Sequence, residues 1–100
     1  MRYAVIERPS EGTLAIVRRK ASDSRLRDII DAGGAEALGI CQGTVLEILV
    51  ASDVAEKAAG VTAGEINGTC PNHMTCMVVI GETSAVKEAV ENVRKRLDAQ

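Results

Sequence analysis

Aromatic side chains are almost absent from this chain of 100 residues, in which Tyr3 stands alone without tryptophan or phenylalanine. Proteins that bind single-stranded nucleic acid stack the bases on aromatic rings within a basic groove. The chain has neither feature, because its 12 Lys and Arg residues are interspersed with 14 Asp and Glu. We therefore expect no nucleic-acid partner. A core of Ala, Val, Ile and Leu has few large anchors, which makes oligomerisation a natural source of additional stability.

Long apolar runs are missing as well. No stretch approaches the roughly 20 apolar residues that span a bilayer, so we expect no membrane partner. Charges at Arg2 and Glu7 come too early for a secretory signal peptide. The three cysteines are an odd number, which fits a reducing cytosol better than a disulfide framework. With 46% apolar residues and no linker, internal repeat or low-complexity tract, residues 1–100 are expected to form one domain.

Signals of catalysis are equally scarce. His73 is the only histidine, and no nucleophile lies in a recognisable pairing with a base. The glycines lack the spacing and the lysine of a phosphate-binding loop. The sequence therefore predicts that the protein is not an enzyme.

The apolar pattern predicts eight elements in the order β-β-α-β-α-β-β-α. Strands are predicted at residues 3–6, 13–17, 37–41, 61–66 and 74–80. Helices are predicted after a cap at Ser22 or Ser24, after a Thr44–Glu47 capping box, and after a cap at Thr83 or Ser84. Strands interleaved with helices indicate an α+β fold, with helices packed on a small antiparallel sheet.

The second predicted helix, which runs to about Ala59, is apolar around most of its circumference. A helix of this kind is expected to be well buried. The residues that carry this pattern are Val45, Leu46, Leu49, Val50, Val54 and Ala58.

A short polar loop lies between the last two predicted strands and places a thiol and an imidazole at a sharp turn. Gly68 permits positive φ, and Pro71 fixes φ. If the protein assembles around an axis, copies of Cys70 can meet and bind a metal; the alternative is an ordinary loop thiol. Cys70, His73 and Cys76 form a Cys-x2-His-x2-Cys spacing that lacks a fourth ligand for zinc. The loop residues are Gly68, Thr69, Cys70, Pro71, Asn72 and His73.

Two stretches carry a family resemblance. Residues 38–61 contain an Ala51-Ser52-Asp53 step and a Lys57-Ala58-Ala59 ending, and residues 77–90 contain a strand, Gly81 and a helix. Both resemble the core of bacterial microcompartment (BMC) shell proteins. Because about 35 residues precede the first stretch, the order is similar to that of the circularly permuted single-domain members, which include those of glycyl-radical compartments.

The resemblance implies a permuted BMC-like fold and a function as a structural shell protein. Cyclic homo-hexamers would tile the shell of a microcompartment in the cytoplasm, with other shell proteins and the encapsulated enzymes as partners. The resemblance also implies that residues 68–73 line a central pore and that Lys57 lies at the hexamer edge. The alternative for Lys57 is a solvated charge that favours the helix C-terminus. The two N-terminal strands, 3–6 and 13–17, match strands that in such relatives include one that can form a small β-barrel over the pore.

A metal site is implied in the same way. Some permuted relatives have the loop pattern Gly-x-Cys-Pro-x-Gln and are associated with an iron–sulfur cluster. The chain matches at Gly68, Cys70 and Pro71, and has His73 in the last position. The resemblance therefore implies that Cys70 from several subunits binds a 4Fe–4S cluster or another metal.

Two functions of different classes follow from the sequence. The first is the hexameric shell protein. The second is a small dimeric metal- or ligand-binding regulatory domain of ferredoxin-like α+β type, with Cys70 as a redox sensor. The permuted order of elements favours the first.

Overall fold

The computed structural model of the chain describes residues 1–67 and 74–98, apart from the side chains of residues 58 and 59. Four strands and four helices make up this part of the chain. In order, they are β1 (Arg2–Glu7), α1 (Glu11–Lys20), α2 (Ser24–Asp31), β2 (Ala37–Thr44), α3 (Val45–Ala59), β3 (Thr62–Ile66), β4 (Met74–Gly81) and α4 (Thr83–Asp98). None of these helices is both long and apolar enough to cross a membrane.

The strands form one open antiparallel sheet in the order β1-β2-β4-β3. Arg2 pairs with Gln42, Thr44 with Met74, and Ile66 with Cys76. The start of β1, the end of β2, the end of β3 and the start of β4 therefore lie together at one end of the sheet. We call this the loop end, because residues 67 and 74, which flank the predicted pore loop, belong to it.

Helices cover both faces of the sheet. The α3 and α4 helices pack on one face over Cys41, Met77 and Val79, and α1 and α2 pack on the other over Val78 and Ile80. Neighbouring residues of β4 thus face opposite layers, as the two-residue period of a strand requires. The α+β fold predicted from the sequence, with helices on an antiparallel sheet, is confirmed.

The strand predicted at residues 13–17 is wrong, because this segment belongs to α1. Ser10 caps the helix, and its hydroxyl accepts a hydrogen bond from the Thr13 amide at 3.2 Å. Glu11 lies in the first turn and basic residues lie in the last, and both complement the helix dipole. Leu14 and Val17 then point to the core at helical spacing, whereas Ile16 points outward. The observed order is β-α-α-β-α-β-β-α.

This difference also corrects the paired N-terminal strands that the resemblance implied. Of the two predicted strands, the structure contains only the first, which is β1. It is an edge strand of the sheet, and all six of its residues pair with β2. The sheet formed by the described residues is open and does not close into a barrel.

Helix caps explain most of the other boundaries. The Thr44–Glu47 capping box is confirmed: the Thr44 hydroxyl accepts from the Glu47 amide at 3.2 Å, and the Glu47 carboxylate accepts from the Thr44 amide at 2.9 Å. The α3 helix ends at Gly60, which has a left-handed φ of 65°. The predicted cap of α2 at Ser22 or Ser24 is wrong by one residue, since Asp23 accepts from the Arg25 amide at 2.9 Å.

Two glycines bring helices unusually close to the sheet. A Cβ atom on Gly39 in β2 would lie 2.5 Å from a methyl group of Val90 in α4. A Cβ atom on Gly64 in β3 would lie 2.5 Å from a methyl group of Leu26 in α2. The absence of a side chain at these two positions therefore allows the helices to pack close to the sheet on both faces.

Candidate subunit interface and loop site

The first half of α3 presents large apolar side chains to solvent. Ile48, Ala51 and Ala55 point into the core, and the opposite face is uncovered. This finding corrects the prediction that α3 is well buried on all sides. We call the uncovered group the α3 stripe; it consists of Val45, Leu46 and Leu49, which are 52%, 73% and 64% exposed.

A shallow cleft of about 280 Å³ adjoins the α3 stripe. Val45 and Leu49 form one wall, and residues of β3 and β4 form the other. Its single acidic side chain is Glu65, whose carboxylate accepts a hydrogen bond from the Thr75 hydroxyl at 2.9 Å. Stripe and cleft together form a continuous surface that is mainly apolar and begins at the loop end.

The second half of α3 is charged on its outer face. Lys57 is 76% exposed, and its Nζ atom lies 2.9 Å from the carboxylate of Asp53. Glu56 fastens the helix to β3 by accepting a hydrogen bond from the Ala63 amide at 2.9 Å. Because α3 begins beside Thr44 at the loop end and runs back along the sheet, Lys57 lies near the opposite end.

The opposite edge of the sheet is formed by β1, with α4 packed over it. Tyr3 is half-buried there, with the guanidinium carbon of Arg94 5.5 Å from its ring centre. Its hydroxyl lies 3.4 Å from the Asp98 carboxylate, and burial together with that carboxylate raises the pKa of Tyr3. Val5, the next residue on the same side of β1, is 39% exposed.

Two of the three cysteines, Cys41 and Cys76, belong to the described residues. Cys41 is fully buried beneath α3 and α4, and burial raises its pKa to about 11. Cys76 is half-buried, and burial raises its pKa as well. Cys41 pairs with Met77 whereas Cys76 pairs with Gln42, so the two thiols project from opposite faces of the sheet. Burial therefore disfavours the thiolate, which is the form that binds metals, at both positions.

The predicted loop site lies outside the described residues. This applies to the whole set of Gly68, Thr69, Cys70, Pro71, Asn72 and His73. Within residues 1–67 and 74–98, no group of three or more His, Cys, Asp or Glu side chains could hold a metal ion.

Comparisons with known proteins agree with this fold. The sequence profile of the BMC domain matches residues 37–100. The chain belongs to the BMC domain family. The GrpU microcompartment shell protein from Clostridiales bacterium 1_7_47FAA is 33% identical, with a TM-score of 0.72 over 98% of this chain and 93% of that one. The GrpU protein from Pectobacterium wasabiae is 27% identical, with a TM-score of 0.72 over 93% of this chain and 99% of that one.

A third solved structure shows the fold alone. The fused permuted hexameric shell protein MSM0275 from the RMM microcompartment is 15% identical, with a TM-score of 0.71 over 99% of this chain and 47% of that one. The search of the curated proteins gave no match. These comparisons confirm the predicted resemblance: this BMC-family chain is a structural component of a bacterial microcompartment shell in the cytoplasm.

The exposure of the α3 stripe was not predicted from the sequence. The signal was present, because residues 45, 46 and 49 are apolar on a helix whose residues 48, 51 and 55 already fill a core-facing side. A helix that is apolar on all sides is expected to be buried. The side that does not pack on its own core can be covered by a different chain.

Proposed function

We propose that this BMC-family chain is a non-enzymatic shell subunit that closes into cyclic homo-hexamers, which tile the shell together with other shell proteins. The α3 stripe is the observation that carries this proposal. Three of the five large apolar side chains that are exposed in the described part of the chain lie together on α3, and such a patch is typical of a surface that a partner covers. Cyclic closure supplies the partner from the same chain.

The ring also gives the polar loop a function. Asn67 and Met74 flank residues 68–73, and both lie at the loop end beside the start of α3. If the loop end faces the ring axis, six copies of residues 68–73 line a central pore. Lys57, near the opposite end of α3, then lies towards the hexamer edge, where it is available to neighbouring hexamers.

A shared metal centre at the pore is the second part of the proposal. Cys70 from several subunits would hold a 4Fe–4S cluster or another metal, because a ring brings together thiolates that a single chain cannot. A cubane cluster has three equivalent irons around its body diagonal, so alternate members of a ring of six thiols fit it. A 4Fe–4S cluster would supply one-electron redox chemistry at the pore.

The mass of the purified protein tests the ring. Light scattering coupled to size exclusion should give six times the 10.5 kDa of one chain, or larger sheets of that unit. A dimer would contradict the proposal and would favour the regulatory domain with Cys70 as sensor, which family membership otherwise disfavours.

The metal centre is tested by anaerobic purification. The expected result is a brown protein with bound iron, and Cys70→Ser should lose both. Cys76→Ser is the matched control, because Cys76 lies within β4, where burial disfavours its thiolate, and its loss should leave the iron in place. Colourless, iron-free wild-type protein would remove the cluster from the proposal and leave the ring untouched.

A further inference from the structure

The sheet has two edges, and each edge is covered by a different helix. β3 forms one edge, with α3 packed over it; β1 forms the other, with α4 packed over it. We call these the α3/β3 flank and the β1/α4 flank. In a ring whose axis faces the loop end, the two flanks of one copy point to its two neighbours. Contacts in a cyclic ring are heterologous, so the α3/β3 flank of one copy must meet the β1/α4 flank of the next.

The two flanks complement each other in charge. The charged residues of α3 and β3 are four acidic and one basic: Glu47, Asp53, Glu56, Glu65 and Lys57. Those of β1 and α4 are five basic and four acidic: Arg2, Lys87, Arg94, Lys95 and Arg96, against Glu7, Glu88, Glu91 and Asp98. Arg25 of α2 also lies on the α3/β3 flank, with its guanidinium 3.7 Å from the Glu56 carboxylate, and offsets one acidic charge. A net −2 thus faces a net +1, which favours contact between unlike flanks over contact between two α3/β3 flanks.

The two flanks also complement each other in polarity. The α3 stripe and its cleft lie on one flank. On the other flank, Val5 is 39% exposed and Tyr3 is half-buried, both on the α4 side of β1. Stable interfaces have an apolar centre and a polar rim. The α3/β3 flank has this arrangement, because the α3 stripe lies in the first half of α3 and the charged residues Asp53, Glu56 and Lys57 lie in the second half.

We propose that the α3 stripe is the centre of the subunit interface and packs against the β1/α4 flank of a second copy of this chain, over Val5 and Tyr3. This proposal rests on the hexameric ring proposed above and assigns the residues that close it. A specific interface buries roughly 800 Å² per partner, which is more than the stripe alone offers. The stripe is therefore the energetic centre, and the charged residues around it form the rim.

The test compares two substitutions of exposed apolar residues. The double variant Leu46→Asp, Leu49→Asp places charge in the stripe, and light scattering should show single chains instead of rings. Ile16→Asp is the matched control: Ile16 is 49% exposed but lies on α1, on the other face of the sheet. That variant should keep the wild-type mass. A double variant that still forms rings would overturn the inference while the proposed ring stands; wild-type protein without rings would overturn both.

Hydrogen exchange tests the partner flank directly. The peptides of β1 and α4 have the same sequence in the wild type and in the double variant. Amides of β1 should exchange at least several-fold more slowly in the wild-type ring than in the single-chain variant. Equal exchange of the central strand β4 in both would show that the variant is folded. Equal exchange of β1 and α4 in both would overturn the assignment of this flank.

Discussion

Gly39→Ala is the substitution for which the structure predicts the clearest loss of stability. Gly39 is buried in β2, directly beneath α4. An added Cβ would lie 2.5 Å from Val90 Cγ2 and 3.1 Å from Val86 Cγ1. Valine side chains are stiff because two heavy atoms sit on Cβ, so α4 itself must move away from the sheet.

The expected magnitude combines two opposing effects. Overpacking a tight core costs about 1–3 kcal/mol. Replacing glycine by alanine lowers the conformational entropy of the unfolded chain, which stabilises the folded state by about 0.4–1 kcal/mol. Taking the middle of each range, about 2 kcal/mol less about 0.7 kcal/mol, the free energy of unfolding should fall by about 1.3 kcal/mol. Each kcal/mol lowers Tm by about 4–8 °C in a domain of this size.

Urea unfolding at fixed protein concentration measures the difference, because assembly makes stability depend on concentration. Gly12→Ala is the matched control: Gly12 lies in α1, and an added Cβ there would meet no atom within 4 Å. That variant should be more stable by about 0.5–1 kcal/mol. Gly39→Ala protein as stable as the wild type would refute the close approach of α4 to the sheet.

Three further predictions follow from the caps, the buried thiol and the far end of α3. Thr44→Ala removes the capping box and should lower the free energy of unfolding by about 1 kcal/mol, measured by urea unfolding; an unchanged value would contradict the cap. The pKa of Cys41 is about 11 in the folded chain against 9.0 for a free thiol, so the folded state holds this proton more tightly. Stability should therefore fall as the pH rises from about 9 to 11, and Cys41→Ala should flatten that decline in thermal unfolding; a decline of the same slope in the variant would show that other groups cause it. Lys57→Ala should leave the mass of the ring unchanged but reduce assembly of rings into sheets in electron micrographs, and intact sheets would remove the edge role of Lys57.

Local signals in the sequence predicted most of the fold. The Thr44–Glu47 capping box and Gly60 place both ends of α3, because caps depend on a few neighbouring residues. The strands β2, β3 and β4 were predicted to within a few residues by their apolar runs. The error at residues 13–17 arose because a five-residue segment with three large apolar residues fits a strand and a helix equally well, and the Ser10 cap decided between them.

The candidate site was also predicted only in part from the sequence. The order of small apolar residues and the spacing of residues 38–61 and 77–90 carry the resemblance to shell proteins, and the profile match to residues 37–100 confirmed it. Residues 68–73 and the metal at Cys70 remain predictions from the sequence and the family. The apolar pattern marked Val45, Leu46 and Leu49 as residues that favour burial, but a pattern of apolar residues does not say which of them the same chain covers.

The sequence by itself determined the family, the composition of the core and the caps that start and end α3, since each depends on residue identity or short-range hydrogen bonding. Only the tertiary structure decided that α1 is a helix against the sheet and that the loop flanks, the start of α3 and the start of β1 share one end. It also decided that Val45, Leu46 and Leu49 are left uncovered. The physical reason is that burial depends on how the elements are arranged: one side of α3 packs on the sheet, and the pattern of residue types does not specify what covers the other side.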